Sequence, residues 1–263
     1  MQIHARLWLT LTSATLLATA PMLGGCATPS AQDRAEAARK AIAHLDLGAE
    51  HLNAGRPALA LREFLAGEAL DPSNARLQHA LGEAFLAQGK HKESEEHYLR
   101  AIELSPSFHD ARLGLSALYI LEERYPEAIA ACKVLIDDPT FPAPWRALAN
   151  LGFAELREGD LVDARKHLEL ARQYHPDYWP AMLSLSQVEL QEGHRPAAIE
   201  LLRKVISLQP GPGVEAEANY RIAEIYVSLG QRDEAVGHLT IAVARAPQGV
   251  WGKRSEEYLK LLK

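Results

Sequence analysis

The chain has 263 residues, with 28 Lys and Arg against 34 Asp and Glu, a formal charge of -6 at neutral pH. An acidic chain without a basic block suits neither nucleic acid nor anionic lipid headgroups, and two cysteines leave no room for a disulfide framework. The length suffices for a sizeable core.

Residues 1–25 read as a targeting segment that is removed: Arg6 supplies a positive start, and Leu7 to Ala20 is an apolar run ending in small residues. At 14 residues this run is too short to span a bilayer as a helix, which takes about 20. Its end, Leu23-Gly24-Gly25-Cys26, resembles a bacterial lipobox. The resemblance implies cleavage before Cys26 and acylation of that cysteine on sulfur and nitrogen. Two or more acyl chains anchor stably where one binds marginally. The alternative is an ordinary signal followed by a free or disulfide-bonded cysteine. Residues 1–25 hold Arg6 and no acidic residue, so their removal takes the charge from -6 to -7. Only Cys132 then remains beside Cys26.

Residues 26–40 are expected to form a lipidated tether and the start of a helix, and residues 41–249 repeat. Leu47-Gly48, Leu81-Gly82, Leu115-Ser116, Leu151-Gly152, Leu185-Ser186 and Ile222-Ala223 are aliphatic-small pairs offset by 34, 34, 36, 34 and 37 residues. Twelve residues after each small residue stands another: Ala60, Ser94, Ala128, Ala164, Ala198 and Ala235. Gly55, Gly89, Gly159, Gly193 and Gly230 hold a column expected to end a helix, from which Glu123 alone departs. Phe64, Tyr98, Cys132, Leu168, Leu202 and Leu239 form a largely bulky column, and Pro72, Pro106, Pro176, Pro210 and Pro247 stop most units. The pattern resembles the tetratricopeptide repeat, a 34-residue helix-turn-helix unit. The resemblance implies an all-α, right-handed superhelical solenoid of six repeats, about 41–74, 75–108, 109–144, 145–178, 179–215 and 216–249. Small residues let the two helices of a hairpin approach closely, and stacked hairpins supply the core that one unit lacks.

Two insertions interrupt the count. The segment from Asp137 to Leu151, with three prolines and two aromatics, predicts a packed elbow between repeats three and four; Pro210 to Val214 predicts a longer turn. Residues 250–263 place Trp251, Tyr258, Leu259 and Leu262 near one face and predict a C-terminal capping helix, or alternatively a partner-binding tail.

The sequence offers no catalytic or metal constellation. His91 and His97 are six apart and do not share a helix face as two ligands four apart would. Glu95-Glu96, Glu122-Glu123 and Glu256-Glu257 are adjacent on helices and point apart. Cys132 occupies a hydrophobic column and reads as an inert thiol. No enzyme activity, no cofactor beyond the lipid on Cys26 and no small-molecule substrate are expected.

In tetratricopeptide proteins the first helix of each hairpin lines the concave face. Carried onto this chain, that resemblance gives a partner groove of Leu86, Leu113, Ala117, Ile120, Ala149, Phe153, Leu156, Leu183 and Leu190. Nearly all the Lys and Asn residues of the chaperone-binding carboxylate clamp are missing, although Arg76, Arg146 and Asn150 stand at such positions. An apolar groove suits an amphipathic helix. The alternative is that the last position of each set packs between hairpins and leaves the groove less apolar.

A lipid-anchored array of six repeats, broken after the third by an Asp-Pro, aromatic-Pro segment at Ile136 to Asp160, resembles the type IV pilus biogenesis lipoproteins that act as pilotins for the outer-membrane secretin. That resemblance implies a lipid-anchored outer-membrane protein facing the periplasm. Its partner would be the secretin subunit of the type IV pilus machine, whose localisation and multimerisation it would promote, and with them pilus-dependent motility. The sequence lacks the second cysteine that many members carry near Cys132. The competing readings are a scaffold lipoprotein of another envelope machine, either outer-membrane protein assembly or a cell-wall enzyme complex.

Overall fold

The computed structural model describes residues 30–262, which fold into helices without a strand among them. They form six antiparallel hairpins and a final helix: α1 (Ala31–Asn53) with α2 (Pro57–Leu70), α3 (Ala75–Ala87) with α4 (His91–Leu104), α5 (His109–Leu121) with α6 (Tyr125–Ile136), α7 (Pro144–Glu158) with α8 (Leu161–Tyr174), α9 (Trp179–Gln191) with α10 (Arg195–Ser207), α11 (Pro212–Ser228) with α12 (Arg232–Arg245), and α13 (Val250–Leu261). Each helix packs on its neighbours in sequence, and the first helices of hairpins one to five also touch in turn, α1 on α3, α3 on α5, α5 on α7 and α7 on α9, which makes one continuous stack.

The repeated columns become contacts. All six small residues from Ala60 to Ala235 are fully buried. Opposite them, a Cβ built on Gly82 would stand 2.6 Å from the Tyr98 ring, and one on Gly152 would stand 2.6 Å from Leu168. The bulky column therefore fills the space that the small column leaves. In the third hairpin both partners change size together: Ser116 replaces glycine where Cys132 replaces the bulky side chain, and both are fully buried.

Helix ends follow the glycines. Gly55, Gly89, Gly159, Gly193 and Gly230 all have positive φ, between 68° and 88°, and Glu123 adopts the same left-handed conformation at φ 58° without being glycine.

The first hairpin is built as an end. Leu47 is 42% exposed, whereas the five residues of its column, from Leu81 to Ile222, are at most 4% exposed because a preceding hairpin covers them. Three residues on, Glu50 takes the place of Ala84, Leu118, Ala154, Val188 and Ile225, all buried. A carboxylate is tolerated where no hairpin stacks. α1 begins with a capping box in which Ser30 accepts from the Asp33 N–H and the Asp33 carboxylate accepts from the Ser30 N–H.

At the other end α13 closes the array. Trp251 and Tyr258 pack against Tyr220 with tilted rings, centroids 5.2 and 6.0 Å away, and Leu259 and Leu262 pack on Ala223, Ala235 and Leu239. The elbow is packed as well: Phe141 is buried against Leu113, Leu135 and Ala147, and the Asp138 carboxylate accepts from Thr140 and faces His109 at 2.8 Å. The second insertion differs from its expected form. Only Pro210 and Gly211 remain in the connection, and Pro212 heads α11, because a proline suits the first turn of a helix, where its missing N–H costs nothing.

Candidate partner groove

The first helices of the hairpins line one face of the stack, along which three depressions join. The N-terminal one, 280 Å³, holds Leu45, Ala49, Leu52 and Arg76; the central one, 850 Å³, holds Leu86, Leu113, Gly114 and Ala117; the C-terminal one, 340 Å³, holds Ile120, Phe153, Trp179 and Leu183. His79, Glu83 and Asp110 border both the first and second, and Asn150 borders both the second and third. The depressions therefore form one groove.

Of the residues expected there, Leu86, Leu113 and Ala117 line the central chamber, and Ile120, Ala149, Phe153 and Leu183 line the C-terminal one. Their accessibility differs: Leu113 and Ala149 are each 4% exposed and form floor, whereas Ala117 is exposed. Leu156 and Leu190 are elsewhere. Leu156 is buried in one core cluster with Leu168 and Leu185, and Leu190 packs on the cluster that contains Met182 and Ile222. Leu156 turns into the space between hairpins, whereas Leu190 is only partly buried, as Leu86 and Ile120 are, and lies outside the three depressions.

The groove is also more polar than its aliphatic column implies. Glu83 and Asp110 stand on its rim with half-exposed side chains, and Arg146 approaches Asp110 at 3.6 Å. His79 sits beneath them, 3.8 Å from Glu83 and edge-on to Phe108; burial, against the pull of the Glu83 and Asp110 charges, holds its imidazole below the ordinary range and so neutral at pH 7. Asn150 donates to Ser116 Oγ at 3.0 Å, while Tyr178 closes the chamber wall, its phenol pushed up by burial. Neither carboxylate stands out in the sequence, where Glu224 and Glu217 occupy the same two repeat positions as Glu83 and Asp110.

Away from the groove, burial raises the Cys132 thiol to about 12, which leaves it protonated and unreactive. Glu189, Glu192 and His194 bring three ligand-type groups within 4.8 Å, but Arg165 already bonds both carboxylates, reaching Glu189 at 2.6 Å, and His194 bonds Glu189 at 3.0 Å. This is a satisfied ion-pair network joining α8, α9 and the following turn. No described helix is long and apolar enough to cross a membrane. Cys26, the expected acylation site, lies outside the described residues.

A stack of helical hairpins with one lined groove is the architecture of a protein-binding scaffold. Tetratricopeptide repeat models match residues 45–107, 79–141, 155–212 and 189–252, and the chain belongs to the tetratricopeptide repeat family. Among curated proteins it is 30% identical to rat DnaJ homolog subfamily C member 3 over 72% of this chain and 40% of that one. It is 28% identical to human protein O-mannosyl-transferase TMTC1 over 66% of this chain and 20% of that one. The chain thus spans less than half the length of either. Among solved structures it resembles a chain of the APC/C hetero-tetramer Cut9-Hcn1, with TM-score 0.74 and 20% identity over 85% of this chain and 43% of that one. It also resembles Pseudomonas aeruginosa PilF, with TM-score 0.67 and 18% identity over 86% and 99%, and PilW, a widely conserved type IV pilus biogenesis factor, with TM-score 0.70 and 19% identity over 81% and 97%.

Proposed function

We propose that this chain is a lipid-anchored pilotin: acylated on Cys26 and held at the outer membrane facing the periplasm, it binds the secretin subunit of a type IV pilus machine and promotes assembly of the secretin ring. The observation that carries the reading is one of extent. The six hairpins correspond to nearly the whole of PilF and PilW, 99% and 97% of those chains over 86% and 81% of this one, whereas the match takes in only 43% of the chain from the Cut9-Hcn1 assembly, and MamA, matched over 95% of its length, covers only 65% of this chain. Lipobox and elbow add to it from the sequence. The mechanism is mass action: the anchor concentrates the bound subunit at one bilayer, and the groove covers an apolar segment of it until subunits pair.

A deletion strain tests the proposal. Heat-resistant secretin multimers and surface pili are expected to be lost and to return with the wild-type gene; unchanged multimers sink the reading. A Cys26→Ser chain is expected to fold and bind secretin yet leave multimers at the wrong membrane.

A further inference from the structure

The three depressions of the groove are unequal, and the inequality has a local cause. The central chamber, at 850 Å³, is more than twice either neighbour because hairpin three presents Gly114 and Ala117 where hairpin two has Ala80 and Glu83 and hairpin four has Asn150 and Phe153. Gly114 cannot grow, since a Cβ there would come within 2.8 Å of the Tyr98 ring that props the floor. At the border toward the N-terminal depression stand Glu83 and Asp110. Their neighbours neutralise them incompletely: His79 is kept uncharged by burial, and Arg146 reaches only Asp110, at 3.6 Å. At the opposite border the Asn150 side-chain amide donates one of its two N–H groups to Ser116, and its carbonyl oxygen remains available to accept.

We propose that the central chamber takes one bulky apolar side chain of the partner, aromatic or leucine, and that the partner carries a Lys or Arg beside it that lies between Glu83 and Asp110. Asn150 Oδ1 then accepts a backbone N–H of the same segment. The occupant is a basic-aromatic protein segment; an acidic chain end of the kind a carboxylate clamp grips meets two carboxylates here and is repelled. This deepens the groove reading above and rests on the groove being the docking face, but it does not depend on the partner's being a secretin.

The test uses the full chain and a random peptide library displayed on phage. Enriched peptides are expected to share a bulky apolar residue next to Lys or Arg. Their affinity, read by fluorescence anisotropy, is expected to drop about tenfold or more with Ala117→Trp, which fills the chamber from an exposed position. With Glu83→Gln plus Asp110→Asn it is expected to drop about threefold and to lose most of its salt dependence. Enrichment of acidic peptides, failure to enrich any, or indifference to Ala117→Trp overturns the proposal. Capture of purified secretin subunit separates this idea from the pilotin reading. Capture that survives Ala117→Trp refutes the chamber and leaves the pilotin; conforming peptides without secretin capture uphold the chamber and refute the pilotin.

Discussion

Asn150 of α7 donates its Nδ2 hydrogen to Ser116 Oγ of α5 at 3.0 Å, and Ser116 passes its own hydrogen to the Leu113 carbonyl at 2.7 Å. This chain of two bonds ties hairpins three and four beneath the groove floor, next to the elbow. Asn150→Ala is expected to cost about 1 kcal/mol, the usual worth of one partly buried hydrogen bond, measured by urea unfolding. In a double-mutant cycle with Ser116→Ala, most of that cost should appear as coupling; independent effects would show the bond to be idle.

Glu123 holds a left-handed backbone that five glycines hold elsewhere. Its side chain earns little in return, since it is largely exposed and lies 3.9 Å from Arg157. Glu123→Gly is therefore expected to stabilise the chain by about 1 kcal/mol, seen as a melting temperature about 2–4 °C higher. A lowered melting temperature would mean that the Arg157 contact outweighs backbone strain.

Phe153 and Leu156 are three apart on α7 and separate binding from folding. Phe153 lines the C-terminal depression, half-buried, and Leu156 is 3% exposed within the core. Phe153→Asp should leave the circular dichroism and melting of the chain near wild type and abolish partner capture. Leu156→Asp should unfold the fourth hairpin, as Leu113→Asp should the third, because a charge in either place has no partner. Equal melting temperatures for Phe153→Asp and Leu156→Asp would refute this division.

The small column is as strict as the bulky one. Gly152→Val would force a side chain onto Leu168 and the Ala164 carbonyl, 3.0 Å from the added Cβ, and is expected to cost about 1–3 kcal/mol by urea unfolding. Shrinking the opposing residue in the same chain, Leu168→Ala, should recover part of that loss.

Acid should unfold the array in two stages. His97 donates to Gln78 at 2.8 Å and stacks on Phe85, and His238 donates to Asn219 at 2.8 Å and stacks on Tyr226; burial lowers both imidazoles. A lowered folded value means that the unfolded chain takes up the proton first, so this stability is complete above about pH 6.5 and drains away as the pH falls below it. The carboxyl of Asp138, held at about 2 by its bonds from Thr140 and His109, is lowered too, and its share persists until the pH falls below about 4. Melting temperatures recorded from pH 8 to pH 3 should show both declines, and His97→Gln with His238→Gln should shrink the first. An increase in stability on acidification to pH 5.5 would contradict this assignment.

Much of this was written in the sequence, and the reason is periodicity. Gly48 and Ala60 with their counterparts recur because close helix approach tolerates nothing larger, so spacing alone reveals hairpin, stack and helix ends. Even the exception at Glu123 was legible. What the columns could not give is which way a position turns once hairpins are stacked. Leu86, Ile120 and Leu156 occupy one column, yet the first two line the groove and the third is buried.

Sequence by itself therefore determined the repeat, its length, its ends and its elbow, all properties of short stretches whose partners lie within one unit or the next. Only the tertiary structure decided the groove: its widest chamber, its uncharged His79 and its acidic border arise where side chains from α3, α5 and α7 converge. Those helices begin 34 and 35 residues apart, and no local pattern records how such distant residues share one cavity.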